Sequence, residues 1–258
     1  MPSVLTIWRL RFLLAVMAIA AACSYARAAD EITIIAQDIE PLVITDQSGA
    51  FTGGILVDLL QLVKDQSGQE IRLANKPTKR GLAEYSIGKS KAIVFLINSG
   101  LEEHSDQTIP LLPVTRVYVA KASVPFRGLT DATKLKTAVM LGASINALPV
   151  EYRPPEENII SVPSVDQMAS MLERNRFDAI IGSDLFVYYY LRKMNKKPSY
   201  IHEPVPLEKS AIALHLGPAT HGNPEWRTFA QALRQALDSP QYRQILHRYL
   251  GSFVKALG

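Results

Sequence analysis

The sequence predicts an α/β fold built of two units, the second inserted into the first. Apolar runs over 92–97 and 179–181 are too short for anything but buried strands, and amphipathic helices alternate with them. The alternation stops at a boundary segment with Pro125, over 122–128, and then restarts. After the second unit comes one more extended segment, followed by two helices. Strands alternating with helices imply parallel sheets covered on both faces, and two connections between the units imply a hinge.

The leader carries Arg9 and Arg11, an apolar segment over 12–22, and then Ala26, Arg27 and Ala28. This is the pattern of a secretory signal peptide over 1–28, cleaved after Ala28. The segment falls short of the ~20 apolar residues of a transmembrane helix. A second reading takes Ala20, Ala21, Ala22 and Cys23 as a lipoprotein processing site with Cys23 acylated. Cleavage after Ala28 removes the single cysteine, and with it any disulfide or thiolate chemistry. It also removes three of the 28 basic residues, leaving 25 against 24 acidic and a net charge of +1. No basic stripe supports nucleic-acid binding. The expectation is a soluble, exported, periplasmic chain.

Taken in order, a first strand is predicted over 31–36, followed by a loop with Gln37, Asp38, Glu40 and Pro41. Ile55, Leu56, Leu59, Leu60, Leu62 and Val63 mark a helix with a wide buried face, Asp58 lying in its first turns. A strand over 70–74, a helix capped by Thr78 and a strand over 92–97 complete the first unit. A polar stretch covers 98–108, and an extended segment covers 115–120. The second unit reads as a strand over 137–141, a helix from about Ser144, a strand over 158–162 and a helix over 164–174. Ser164 and Gln167 have capping-box spacing, with Met168 and Met171 facing the core. The segment 210–216 returns to the first unit. Asn223 with Pro224, and Ser239 with Pro240, then start two helices with aromatic stripes that belong to the core.

The stretch 174–184 organises the rest: a helix ends, a buried strand follows, and Gly182, Ser183 and Asp184 open a further helix. Ligands of open α/β sheets bind outside the carboxyl ends of such strands, so Ser183 and Asp184 stand at a ligand position. Tyr188 lies one turn on and is a further ligand candidate, although of Tyr188, Tyr189 and Tyr190 at least one must face the core.

These motifs resemble the periplasmic solute-binding proteins of the polar-amino-acid type, the extracellular solute-binding family 3, in a divergent form. The resemblance rests on Phe51-Thr52-Gly53-Gly54-Ile55-Leu56-Val57-Asp58, on Leu129-Thr130-Asp131 leading to Ser144, on Arg176-Phe177-Asp178-Ala179 and on the closing run 239–250. It covers nearly the whole chain after the leader. It implies two lobes, 29–121 plus 209–258 and 122–208, each a mainly parallel sheet flanked by helices and joined by a two-segment hinge. It also implies capture of a small molecule for an ABC-transporter permease, by a monomer without cofactor or metal.

The family's carboxylate-clamping turn corresponds here to Asn98-Ser99-Gly100-Leu101-Glu102-Glu103-His104, which has no arginine. The resemblance makes Asn98, Ser99 and His104 ligand candidates. The lost guanidinium argues against an ordinary α-amino acid, because carboxylates reverse which charge is welcome. Pro77-Thr78-Lys79-Arg80 resembles a Pro-x-x-Arg element of a divergent branch. Cations in a helix's first turn oppose the dipole, so Arg80 is either a cleft residue or half of a solvated surface pair with Lys79. Gly142-Ala143-Ser144 matches the family's Gly-Ser turn, an anion site at a helix start, and Asp184 matches its acidic residue of the second lobe. Asp184 has the alternative role of capping its own helix.

Two rivals remain. Glu102 and Glu103 admit acid–base chemistry, as in dehydratases of cyclic acids similar to this family, and a sensing module without transport uses the same fold. The five histidines, His104, His202, His215, His221 and His247, lack metal-ligand spacing.

Overall fold

The computed structural model describes residues 31–256 apart from 98, 141–144 and 163–164. The elements are β1 (Ile32–Ala36), β2 (Ile44–Thr45), β3 (Phe51–Gly53), α1 (Ile55–Ser67), β4 (Ile71–Asn75), α2 (Thr78–Ser86) and β5 (Ala92–Leu96). They continue with β6 (Gln107–Ala120), β7 (Thr137–Met140), β8 (Ile159–Val162), α3 (Val165–Glu173), β9 (Ala179–Ser183), α4 (Asp184–Lys193), β10 (Val205–Leu216), α5 (Pro224–Leu237) and α6 (Pro240–Leu250).

One eight-stranded sheet runs β4-β1-β5-β10-β6-β9-β7-β8. Two parallel trios, β4-β1-β5 and β9-β7-β8, flank the antiparallel pair β10 and β6. The sheet is continuous because the crossing strands are long. β6 has 14 residues, about 46 Å at ~3.3 Å each, and bonds along its length to both halves. These strands exceed the segments 115–120 and 210–216 that the sequence predicts. Pro110, Pro113 and Pro206 disguise them, since proline is unusual in a central strand. The register shifts between Ile212 and Ala213, opposite Leu112 and Pro110, and again between Pro206 and Glu208.

On one face of the first half, α1, α5 and α6 bury Leu59, Val63, Trp226, Phe229, Leu233 and Leu250 against Ile32, Ile34 and Ala36. Gly54 gives α1 no side-chain cap, yet its five fully buried apolar residues contribute about 1.5–3 kcal/mol each, more than the ~1 kcal/mol of a cap. The opposite face packs Tyr85 and Leu101 on Ile35 and Ile93. In the second half α3 and α4 cover Val117, Val119 and Ile180, while Leu148 and Ala132 cover Tyr118 and Ile181. Met168 is buried, and Met171 packs against the same core.

Three local expectations change. Thr78 is the first residue of α2 and Pro77 its cap, with no side-chain cap bond. After β7 the chain makes 3-10 turns at Ile145–Ala147 and Val150–Tyr152 where an α-helix was expected, because Pro149, Pro154 and Pro155 remove donors and hold their predecessors extended. Asn98, Ser144 and the Ser164 cap lie outside the described residues. Asn223 and Ser239 cap α5 and α6 as the sequence predicts, accepting from Glu225 and Trp226 and from Tyr242. Among the described residues no helix is long and apolar enough to cross a membrane.

Candidate functional site

Strand register fixes where a ligand site falls. The carboxyl end of β5, Leu96, pairs with Ile212, which pairs with Leu112 of β6. The carboxyl end of β9, Ser183, pairs with Arg116. The two parallel trios thus point their carboxyl ends toward the same stretch of β6, 112–116, with an offset of four residues, about 13 Å along that strand.

On the first lobe, Lys76 follows the end of β4 and Pro77 caps α2. Lys76 Nζ and Arg80 Nε (the latter at 2.9 Å) both bond the carboxylate of Glu84, which is 8 % exposed. The Lys76 bond, then the Arg80 bond, holds Glu84 down to about 2, so it stays ionised. Two cations on one carboxylate leave a net positive charge at this strand end. Arg80, its side chain 71 % exposed, is therefore an i,i+4 partner of Glu84 with its outer guanidinium edge in solvent. Neither Lys76 nor Glu84 was singled out from the sequence; Lys76, a charge between a strand and a proline, was the available signal.

Ser99 is exposed, and Gly100, at φ 83°, starts a 3-10 turn at Leu101–His104. Glu102 accepts from Gly100 N–H at 3.1 Å, while Glu103 and His104 are exposed. Adjacent in chain, the two glutamates differ in setting, since Glu102 is drawn back onto its own turn. Beneath the turn, Ser105 Oγ lies 2.8 Å from Tyr85 Oη and 3.5 Å from His215 Nδ1, and burial lowers the pKa of His215. At the end of β1, Gln37 Nε2 is buried without an acceptor among the described residues.

On the second lobe the structure separates Ser183 from its neighbour. Ser183 is half-buried and ends β9, whereas Asp184 is 1 % exposed. Asp184 Oδ1 accepts from Thr115 N–H at 2.9 Å and Leu185 N–H at 2.7 Å, so this carboxylate pins the start of α4 to the crossing strand. Tyr188 was expected at the ligand; the structure turns it into the core, stacked on Phe253 with ring centroids 5.1 Å apart. Three residues per turn cannot all face one way: Tyr188 and Tyr190 go inward, and Tyr189 donates to Glu40 Oε2 at 3.0 Å.

Between the lobes, Arg116 Nη1 pairs with Glu208 Oε2 at 2.8 Å across β6 and β10. Arg116 stands level with Ser183, and sequence reasoning missed it, although a lone arginine in an apolar strand was its signature. Glu40 Oε2 also accepts from Lys193 Nζ at 2.6 Å, tying the loop after β1 to α4. No group of three or more metal-ligating side chains occurs among the described residues.

No protein-family model and no curated protein sequence matches the chain. Solved structures do. A substrate-binding protein of an ABC uptake transporter from Streptococcus pneumoniae, with bound histidine, matches at TM-score 0.66 and 15% identity, over 86% of this chain and 93% of that one. The arginine-, lysine-, histidine-binding protein ArtJ from Geobacillus stearothermophilus gives 0.62 and 15%, over 86% and 96%. The GluR0 ligand-binding core from Nostoc punctiforme, with L-glutamate, gives 0.64 and 16%, over 84% and 98%. The chain has the two-lobed α/β fold of the periplasmic solute-binding proteins.

Proposed function

We propose that the chain is a non-catalytic receptor that captures a small polar solute, anionic or zwitterionic, between its lobes for an ABC-type transporter. We take 29–121 with 209–258 as one lobe and 122–208 as the other. The observation that carries the reading is that the two parallel trios point their carboxyl ends toward one stretch of β6, 112–116. Proteins of this fold include receptors for cationic amino acids and for glutamate, so the fold does not select ligand charge.

The local charge makes the selection. The positive end of the Lys76, Arg80 and Glu84 cluster receives an anionic group of the solute, with Arg80 offering its free guanidinium edge. Ser99 and Ser183 supply hydroxyls from either lobe, and Asn98, His104 and Ser144 complete the proposed set. Asp184 and Tyr188 act behind this shell, by holding α4. Closure follows from contacts that exist only when both lobes touch the solute.

Thermal unfolding against amino acids, organic acids, sugars and polyamines tests the proposal. A ligand at about 100 times its Kd adds ~2.7 kcal/mol, a shift of roughly 5–10 °C for a chain of this size. A shift with an acidic or zwitterionic class, the ligand recovered unchanged, is the expected result. Consumption of the ligand favours an enzyme, and silence from ligand-free folded protein overturns the receptor.

A further inference from the structure

A second site lies far from the lobe junction. Where β6 begins and β10 ends, about 30 Å along β6 from Arg116, a groove of about 430 Å³ opens beside α5. That volume falls in the range of small-molecule sites. Trp226, 3 % exposed, contributes to its apolar wall.

The polar lining is unbalanced. Arg227 and Arg234 both line the groove and are exposed, and neither makes a side-chain ion pair or hydrogen bond among the described residues. Seven residues apart, they stand on one face of α5, about 10.5 Å along its axis, with Gln231 between them. Two side chains of this length can reach one small molecule between them. The one carboxylate in the lining, Asp106, is already engaged, its Oδ1 2.8 Å from His221 Nδ1. With His221 neutral the groove carries +1, and with it protonated +2. Nothing in the fold requires this. The apolar face of α5 is satisfied by Trp226, Phe229 and Leu233, so the arginines do no packing work that a neutral residue would fail to do.

We propose that this groove binds a small compound bearing two or more oxyanions, carboxylate or phosphate, gripped by Arg227 and Arg234 with Gln231 as an intervening donor. Guanidinium forks match both groups bidentately, so the shared chemistry is the oxyanion pair. The site is independent of the solute cleft, and ligands at the two do not compete.

Isothermal titration of the full chain with citrate and with pyrophosphate, at low salt and against chloride of equal ionic strength, tests this. We expect one of the two to bind at one per chain. Replacing both arginines (Arg227→Gln, Arg234→Gln) should weaken it by about tenfold or more, while Arg243→Gln, an exposed arginine of α6 outside the groove, leaves it unchanged. Both arginines are exposed, so the double variant keeps its fold, which its unfolding midpoint checks. Which anion binds names the ligand's source. Binding of neither, binding undiminished in the double variant, or loss in Arg243→Gln overturns the proposal.

Discussion

Asp184 shows how a residue can stand at a ligand position in sequence and serve the scaffold in space. Its carboxylate is enclosed, and Oδ1 takes the N–H groups of Thr115 and Leu185. Removing it orphans two backbone donors, each costing about 1–3 kcal/mol when buried, besides the Ser183 hydroxyl 3.3 Å away. Asp184→Ala should therefore lower stability by roughly 2–6 kcal/mol in urea unfolding; an unchanged midpoint would return Asp184 to the ligand. Glu84 makes a different prediction, about pH. Its folded pKa, about 2, lies below the ordinary glutamate value of 4.5, so the unfolded chain takes up the proton first. The stability contributed by its bonds to Lys76 and Arg80 is present above pH 4.5 and is lost as pH falls from there towards 2. The stability difference between wild type and Glu84→Gln should shrink across that window, and parallel pH profiles would refute the linkage.

At the scale of elements, the start of α1 depends on one glycine. Gly54 has φ +125°, and a Cβ there would come 2.4 Å from Leu42 O. Its N–H donates to Tyr249 Oη at 2.7 Å, and Tyr249 with Arg248 also reaches Asp58, so this corner joins α1 to α6. Gly54→Ala should cost about 2–4 kcal/mol, measured by denaturant unfolding, because backbone strain and a backbone clash add. A loss below 1 kcal/mol, on the order of a surface change, would show that the corner relaxes. Elements like this were legible because their signals are local: a Gly-Gly pair before an apolar periodicity, or Asn-Pro and Ser-Pro before α5 and α6. The long crossing strands were not, since Pro110, Pro113 and Pro206 give the local signal of a loop while pairing across the sheet overrides it. The site was half legible for the same reason. The strand end at Ser183 and the cation Arg80 were readable, but the burial of Asp184 and the Arg116 and Glu208 pair depend on strand register, which no single segment contains.

At the scale of the molecule, the two halves do not behave as separate globules. β6 and β10 bond through both, Leu185 of α4 joins the first core, and Phe253, beyond α6, joins the second. Arg192 adds a bond to the carbonyl of His247 at 3.2 Å. A hinge built this way lets strands twist while the cores stay linked, so unfolding should be one cooperative transition, with calorimetric and van't Hoff enthalpies equal. Phe253 is the sharpest probe. It is 5 % exposed and stacks on Tyr188, yet it belongs to the segment that follows α6. Phe253→Ala should remove about 3–5 kcal/mol and move the whole transition down without splitting it. If the scan instead resolves two steps, with only the lower one displaced, the lobes are energetically separate, and closure around a solute must be described as docking of two independent bodies.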